Sequence, residues 1–287
     1  MFEIDAFPAQ PTKTLARNYR ARAGGMSLHA AIAASRLGAS VRLLGRVGDD
    51  DSASFLRARL SEEGVEARGL ESVRGTSTSL ATVVVDAQGA RQIYIHRGDA
   101  LQRGHALDTR QLAGADVVLA DPRWLDGAAA ALAWAREHGV PSLLDADVAP
   151  LAALDRLVPL ARWVAFSEPG LALWGRGRSR DEALAAALAL GPALALVTLG
   201  ADGARWLKPQ SAATQVRAPA VNAIDTTGAG DVFHAALAMS LVQQRRTMHA
   251  VTWACAAAAF KCERGFGAEG APTREELDVW LRRRAGG

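Results

Sequence analysis

The sequence predicts an α/β protein built on an open, mostly parallel sheet flanked by helices, with a small antiparallel β lid. Three observations predict it. Strand-like and helix-like segments alternate over most of the 287 residues, as expected for a parallel sheet with helices on both faces. Two extended stretches break the alternation and enclose a hairpin signal. Polar groups also fall just beyond the ends of successive apolar strands, the edge where open α/β sheets bind ligands.

The apolar strand candidates are Val41–Val47, Asp116–Ala120, Pro141–Leu144, Trp163–Phe166 and Ala193–Leu199. Helical patterns cover Met26–Leu37, Ser52–Glu63, Trp124–His138 and Arg180–Leu190. The last third reads as helix over Asp231–Gln243, Met248–Cys262 and Arg274–Arg283. Thr273-Arg274-Glu275-Glu276 is a capping box, with Thr273 as the cap and Glu276 reaching back to it. Lys13–Arg20 and Ser79–His96 read as extended, and Asp86-Ala87-Gln88-Gly89 separates Ala81–Val85 from Arg91–Ile95 as a hairpin turn would. No internal repeat or low-complexity linker divides the chain.

Composition narrows the function classes. Apolar residues make up 49% and charged residues 22%, ordinary for a soluble globular protein. No apolar run reaches the roughly 20 residues needed to span a bilayer. The start, MFEIDAFPAQPTK, lacks a basic segment followed by an apolar one, so it does not read as a signal peptide, and a cytoplasmic location is expected. The net charge of +3 comes almost wholly from arginine, since lysine stands only at positions 13, 208 and 261. The arginines are scattered rather than clustered with aromatics, which argues against nucleic acid and suits small anionic substrates. Cys255 and Cys262 lie in an alanine-rich stretch and read as buried thiols rather than a disulfide or metal pair.

Asp121-Pro122-Arg123, Asp145-Ala146-Asp147, Ser167-Glu168-Pro169 and Gly200-Ala201-Asp202-Gly203 each follow a strand candidate. The run Asp225-Thr226-Thr227-Gly228-Ala229-Gly230-Asp231-Val232-Phe233 then leads into an apolar helix. Glycines at a helix start let the backbone approach a ligand, and the unpaired amides with the positive end of the dipole make an anion site. A carboxylate in that first turn suits phosphoryl transfer, in which amides stabilise the phosphate charge and a base takes the hydroxyl proton.

This nine-residue run resembles the C-terminal signature of the ribokinase-like (PfkB-type) sugar kinases. Gly24-Gly25 before a small-residue helix to Arg36-Leu37-Gly38, then Gly45-Arg46-Val47-Gly48-Asp49-Asp50, resembles the N-terminal signature. Val197-Thr198-Leu199-Gly200 with Gly203 resembles the family's nucleotide-binding turn. The resemblance implies a ribokinase-like fold, with a lid over residues 1–23 and 75–98 that often builds a homodimer, and a catalytic domain over 24–74 and 99–287. It implies Asp231 as catalytic base, Gly228, Ala229 and Gly230 as the anion hole, and Thr198, Gly200 and Gly203 along the nucleotide. Gly24, Gly25 and His29 would meet the sugar. ATP and Mg²⁺ are the implied cofactors, and Asp225 and Thr227 would lie near a monovalent-cation site, K⁺ in members that need one.

A finer resemblance points to the sugar. Ala16-Arg17-Asn18-Tyr19, Leu119–Trp124, Phe166–Leu171 and Asp231-Val232-Phe233-His234 resemble kinases for 6-deoxy-6-sulfofructose, which phosphorylate the C1 hydroxyl. Lys13 and Arg123 fall where that subgroup places cations for the sulfonate, and a guanidinium fork matches oxygen anions well. Four departures stand beside this. His29 occupies the usual place of an asparagine, and Ile95 or His96 that of a polar lid contact. Ser167-Glu168-Pro169-Gly170 replaces the Asn-x-x-Glu element, as it does in that subgroup. The family's first core strand, which ends in a sugar-binding aspartate, is expected to be missing ahead of Met1. A kinase for fructose, ribose, a ketose phosphate or a nucleoside, and a non-catalytic sugar- or nucleotide-binding regulator, are the alternatives. A dinucleotide-binding dehydrogenase is not, because no Gly-x-Gly-x-x-Gly turn follows an early strand.

Overall fold

The computed structural model describes residues 1–10, 12–98, 101, 107–265 and 267–285. The expected domain boundary at 99 therefore falls outside the described residues. The chain runs β1 (Phe2–Glu3), β2 (Asn18–Tyr19), α1 (Met26–Arg36), β3 (Val41–Arg42), β4 (Gly45–Val47), α2 (Asp51–Glu62), β5 (Val65–Glu66), β6 (Leu70–Ser72), β7 (Leu80–Val85) and β8 (Arg91–His96). It continues through β9 (Val118–Ala120), α3 (Leu125–Glu137), β10 (Ser142–Ala146), α4 (Leu151–Leu157), β11 (Trp163–Ser167), α5 (Glu168–Gly175), α6 (Arg180–Ala189) and β12 (Leu194–Thr198). β13 (Ala204–Leu207), β14 (Thr214–Val216), α7 (Ala229–Val242), α8 (Thr247–Arg264) and α9 (Arg274–Ala285) complete it.

The main sheet has the order β14-β13-β12-β11-β10-β9. β9 to β12 are parallel, and β13 and β14 return antiparallel. Strand alternation sends neighbouring side chains into two different cores. Trp163, Ala165, Leu194 and Leu196 join α1, α7 and α8 on one face, while Val164, Phe166, Ala195 and Val197 join α3 to α6 on the other. The alanines of α7 and α8, such as Ala235, Ala236, Ala254 and Ala257, are fully or almost fully buried between them, so the two helices approach closely. Parallel strands in register carry their carboxyl ends to one edge, and the polar groups after β9 to β12 line up there.

On the free side of β9 no strand pairs among the described residues. The expected strand Val41–Val47 splits instead of joining the main sheet. β3 pairs with β5 and β4 with β6 as separate two-stranded parallel sheets, and the Leu43 N–H donates to Glu66 O at 2.9 Å across the break. A cavity of about 300 Å³ lies by β4, lined by Gly45, Gly69, Glu71, Leu107 and Trp124 among others.

The lid sheet has the order β2-β1-β7-β8. It is antiparallel except that β1 and β7 run parallel, a correction to the all-antiparallel expectation. The extended reading of Lys13–Arg20 shrinks to Asn18–Tyr19, because only those residues pair, with Glu3 and Phe2. The hairpin lies where expected, with Asp86 accepting from the Gln88 and Ala90 N–H groups at 3.0 and 2.8 Å. At the root of β7, Asp50 caps α2 through the Ala53 N–H and also holds Thr78, accepting from its N–H at 2.8 Å and its hydroxyl at 2.6 Å. Thr78 Oγ1 accepts from the Gly48 N–H at 2.9 Å. The capping box at α9 is present, with Thr273 Oγ1 accepting from the Glu276 N–H and Glu276 accepting from the Thr273 N–H.

Candidate active site

Two helix N-termini meet at the sheet edge because α1 and α7 pack together. The α7 mouth begins with exposed Thr226 and Thr227 and the N-cap residue Gly228, at φ +79°. That left-handed backbone selects glycine. A Cβ there would also stand 3.1 Å from His29 Nδ1 and 3.7 Å from Asp231 Oδ2. The Ala229 N–H turns back onto Thr226 O at 3.1 Å, whereas the amides of Gly228, Gly230 and Asp231 meet no acceptor among the described residues. Free amides at the positive end of a 14-residue helix are suited to an anion.

Asp231 sits in the first turn of α7, and His29 in the first turn of α1 faces it. His29 Nδ1 and Asp231 Oδ2 are 3.0 Å apart, and their side chains are 12% and 14% exposed. Burial pushes the Asp231 carboxyl above its ordinary value, against the lowering effect of the His29 hydrogen bond. Behind them, buried His234 Nδ1 lies 2.9 Å from Asp145 Oδ2, out of line for a hydrogen bond. Burial opposes a charged His234, but the Asp145 carboxylate prevails and raises the imidazole above its usual range. Asp145, Asp231 and His234 bring one donor atom each within 4.8 Å of one another. Two of the carboxylate oxygens already face imidazole nitrogens, so we read the group as a charge network and assign it no metal.

Other predicted residues surround this centre in different ways. Gly24 and Gly25 are exposed ahead of α1, and Gly25 is its N-cap residue at φ +129°. Asp121 fills the α1 mouth, accepting from the Ser27 N–H at 3.1 Å, from the Ser27 hydroxyl, and from the Arg123 N–H at 2.7 Å. The Arg123 guanidinium is 3.3 Å from Asp147 and donates to Val148 O at 3.1 Å. Lys13 is exposed. Thr198 ends β12 and Gly200 is exposed beyond it, whereas Gly203 is buried, with φ +85° in the turn before β13.

Asp225 and Thr227 are tied into a structure of their own. Burial works against ionisation of Asp225, yet the Thr227 and Gly267 N–H groups at 2.9 and 3.0 Å and the Lys261 ammonium hold the carboxyl well below the usual range. Lys261, Asp145 and His234 are buried polar residues here to which the sequence assigns no individual role, although Asp145 stands in one of the strand-end groups. The available signals were a carboxylate at a strand end, a histidine three residues after Asp231, and one of only three lysines set among alanines.

The sequence model of the pfkB family carbohydrate kinases matches residues 1–274. The chain belongs to the pfkB family of carbohydrate kinases. It is 30% identical to the ribokinase of Bacillus subtilis over 286 residues, covering 96% of this chain and 94% of that protein. A solved, provisionally assigned ribokinase from Agrobacterium tumefaciens superposes with a TM-score of 0.92 at 32% identity, over 100% of this chain and 94% of that one. Arabidopsis thaliana ribokinase, solved with ribose and ATP, shares the fold with a TM-score of 0.87 at 23% identity, over 98% of this chain and 94% of that one. As a member of the pfkB family, this chain is an ATP-dependent phosphotransferase acting on a sugar.

Proposed function

We propose that this kinase moves the γ-phosphoryl group of ATP onto a hydroxyl of a small sugar, with Asp231 as the base. The observation that carries the reading is Asp231 in the first turn of α7, hydrogen-bonded to His29 on one oxygen and adjoining the unpaired amides of Gly228 and Gly230. The hydroxyl proton goes to the Asp231 oxygen that His29 does not engage, while the new oxygen–phosphorus bond forms and the bond to ADP breaks. The amides of the Gly228–Gly230 turn take up charge on the transferring group, and Ala229 contributes to the turn through its bond to Thr226. His29 acts in this scheme through Asp231, as a positioning residue rather than the sugar ligand its alignment suggests. Mg²⁺ bound with ATP would supply charge neutralisation to the phosphates. Thr198 and Gly200 fit the nucleotide side, with Gly203 shaping their turn.

For the acceptor, the subgroup likeness supports 6-deoxy-6-sulfofructose at C1, with Lys13, Arg123, Gly24 and Gly25 around it. A neutral sugar such as ribose or fructose is the second reading, and the Arg123–Asp147 ion pair favours it, because that guanidinium already has a carboxylate partner. A coupled ADP-release assay over sulfofructose, fructose, fructose 6-phosphate, ribose and nucleosides tests both. Preference for sulfofructose upholds the anionic reading, and equal or better use of fructose removes it. Failure to release ADP with every sugar overturns the catalytic assignment.

The lid leaves Tyr19, Leu80, Ile93, Tyr94 and Ile95 more than half exposed, which supports a second copy of the chain covering that sheet as a homodimer. Sedimentation of the wild type against Ile93→Lys tests this, since an unchanged monomer in both removes it. No helix among the described residues is long and apolar enough to cross a membrane, and we assign the enzyme to the cytoplasm.

A further inference from the structure

Lys261 is a buried charge that the proposed chemistry does not use. Its side chain is 0% exposed, inside the alanine-rich part of α8. A solvated lysine would extend to the surface, and a buried ammonium persists only where it has partners. Here Nζ donates to Asp225 O at 2.7 Å and lies 3.5 Å from Asp225 Oδ2. Asp225 opens the run that leads into the Gly228 turn. Its carboxylate accepts from the Thr227 N–H at 2.9 Å on one oxygen and from the Gly267 N–H at 3.0 Å on the other. The backbone beside Lys261 closes round the same point, with the Ile224 N–H donating to Cys262 O at 2.8 Å and the Gly265 N–H to Lys261 O at 3.0 Å. A Cβ at Gly265 would stand 3.6 Å from Asp225 Cβ. The carbonyl and carboxylate oxygens of Asp225 thus converge on a single positive charge three residues before Gly228. That is the place where Asp225 and Thr227 lead one to expect a monovalent cation.

We propose that the Lys261 ammonium stands in for that cation, so that this kinase carries its own fixed charge and does not respond to K⁺. The inference rests on the reading of the Gly228 turn as the anion site. The residues do not fit an additional K⁺, because the ammonium already takes the Asp225 carbonyl oxygen at hydrogen-bonding distance. A tethered charge keeps Asp225 ionised and in place, and through the Asp225–Thr227 bond it sets the backbone entering the anion hole. Ions in solution would then be needed for ATP alone.

The test compares the full-length wild type, Lys261→Ser and Lys261→Met in tetramethylammonium buffer with and without KCl or NH₄Cl, by ADP release and by thermal melting. The expected wild-type result is less than a twofold change in turnover and no shift in Tm on adding K⁺ at constant ionic strength. Lys261→Ser, which leaves room for an ion, should lose at least tenfold in turnover and regain most of it, with a higher Tm, on adding K⁺ or NH₄⁺. Lys261→Met fills the space without charge and should regain nothing. Wild-type activation or stabilisation by K⁺ overturns the proposal. So does a folded Lys261→Ser enzyme that keeps wild-type turnover without added cation, or one that no cation restores. If Lys261→Ser does not fold, the wild-type titration decides alone. The melting curves are independent of turnover, so a chain inactive on every sugar would count against the kinase assignment without touching this result.

Discussion

The two helix mouths at the sheet edge are built alike and used differently. Each begins at a glycine with a left-handed φ, Gly25 for α1 and Gly228 for α7. At α1 the protein supplies its own anion, because Asp121 takes the Ser27 amide and hydroxyl. At α7 no carboxylate among the described residues caps the first amides, and the acid nearby, Asp231, is turned towards His29. A carboxylate on a helix's first amides adds stability, whereas amides left without one keep their capacity for an anion. The same local motif thus carries a built-in carboxylate contact in one helix and none at the first turn of its neighbour among the described residues.

The sharpest way to break this contrast is Asp231→Asn. Turnover should fall by about 10³-fold, while ATP protection in a thermal-shift assay persists; near-normal turnover would remove Asp231 as the base. Gly228→Ala comes next. The forced φ costs about 1–2 kcal/mol, and the added methyl displaces His29, so turnover should drop by about 10²-fold with the protein still folded by circular dichroism. A Gly228→Ala enzyme with wild-type kinetics would show that the turn has slack.

His29→Ala removes a hydrogen bond to a charged group worth about 1.5–3 kcal/mol, or roughly a tenfold or greater loss in turnover. His29→Asn keeps a donor at the Nδ1 position and should restore most of it. The pH profile adds a sign. Asp231 works ionised, and burial already raises its pKa, so turnover falls on the acid side at a higher pH than for an ordinary aspartate near 4. The His29 bond favours the ionised form, so His29→Ala should move that acid limb to still higher pH. An unmoved limb would separate His29 from the base. The smallest effect is expected at the α1 mouth, where Asp121→Ala should lower stability by about 1–2 kcal/mol in urea melts and leave ADP release at saturating substrate close to wild type.

Much of the main sheet was legible because its signals are local. β10, β11 and β12 lie within two or three residues of their expected ends, since a buried parallel strand reads as a short apolar run whatever packs on it. The α7 turn was legible for the same reason, its glycines and Asp231 lying within four consecutive positions. What escaped depends on distant partners. Leu43 and Leu44 continue an apolar run, and only pairing with β5 and β6 reveals the break. α4 and α5 are short and were not foreseen, and β13 and β14 turn back antiparallel on signals no stronger than those of a loop. The family resemblance places His29 at the sugar, and the aspartate 202 positions away that it meets is not visible in the sequence. Lys261 was hidden most completely. An isolated lysine in a helix normally marks the wet face, and only the fold brings Asp225 to it.

The clamp at the root of the lid fixes how that sheet is mounted on the main domain. Thr78 is pinned to Asp50 by both its amide and its hydroxyl, so the flap hangs from a fixed post and not from a slack tether. Rotational freedom fixed at that joint during folding is freedom that no later contact with the flap has to remove. Deuterium uptake should therefore be slow at the Thr78 amide and fast along Arg91–His96, and equal rates at the two places would show that the post itself gives way.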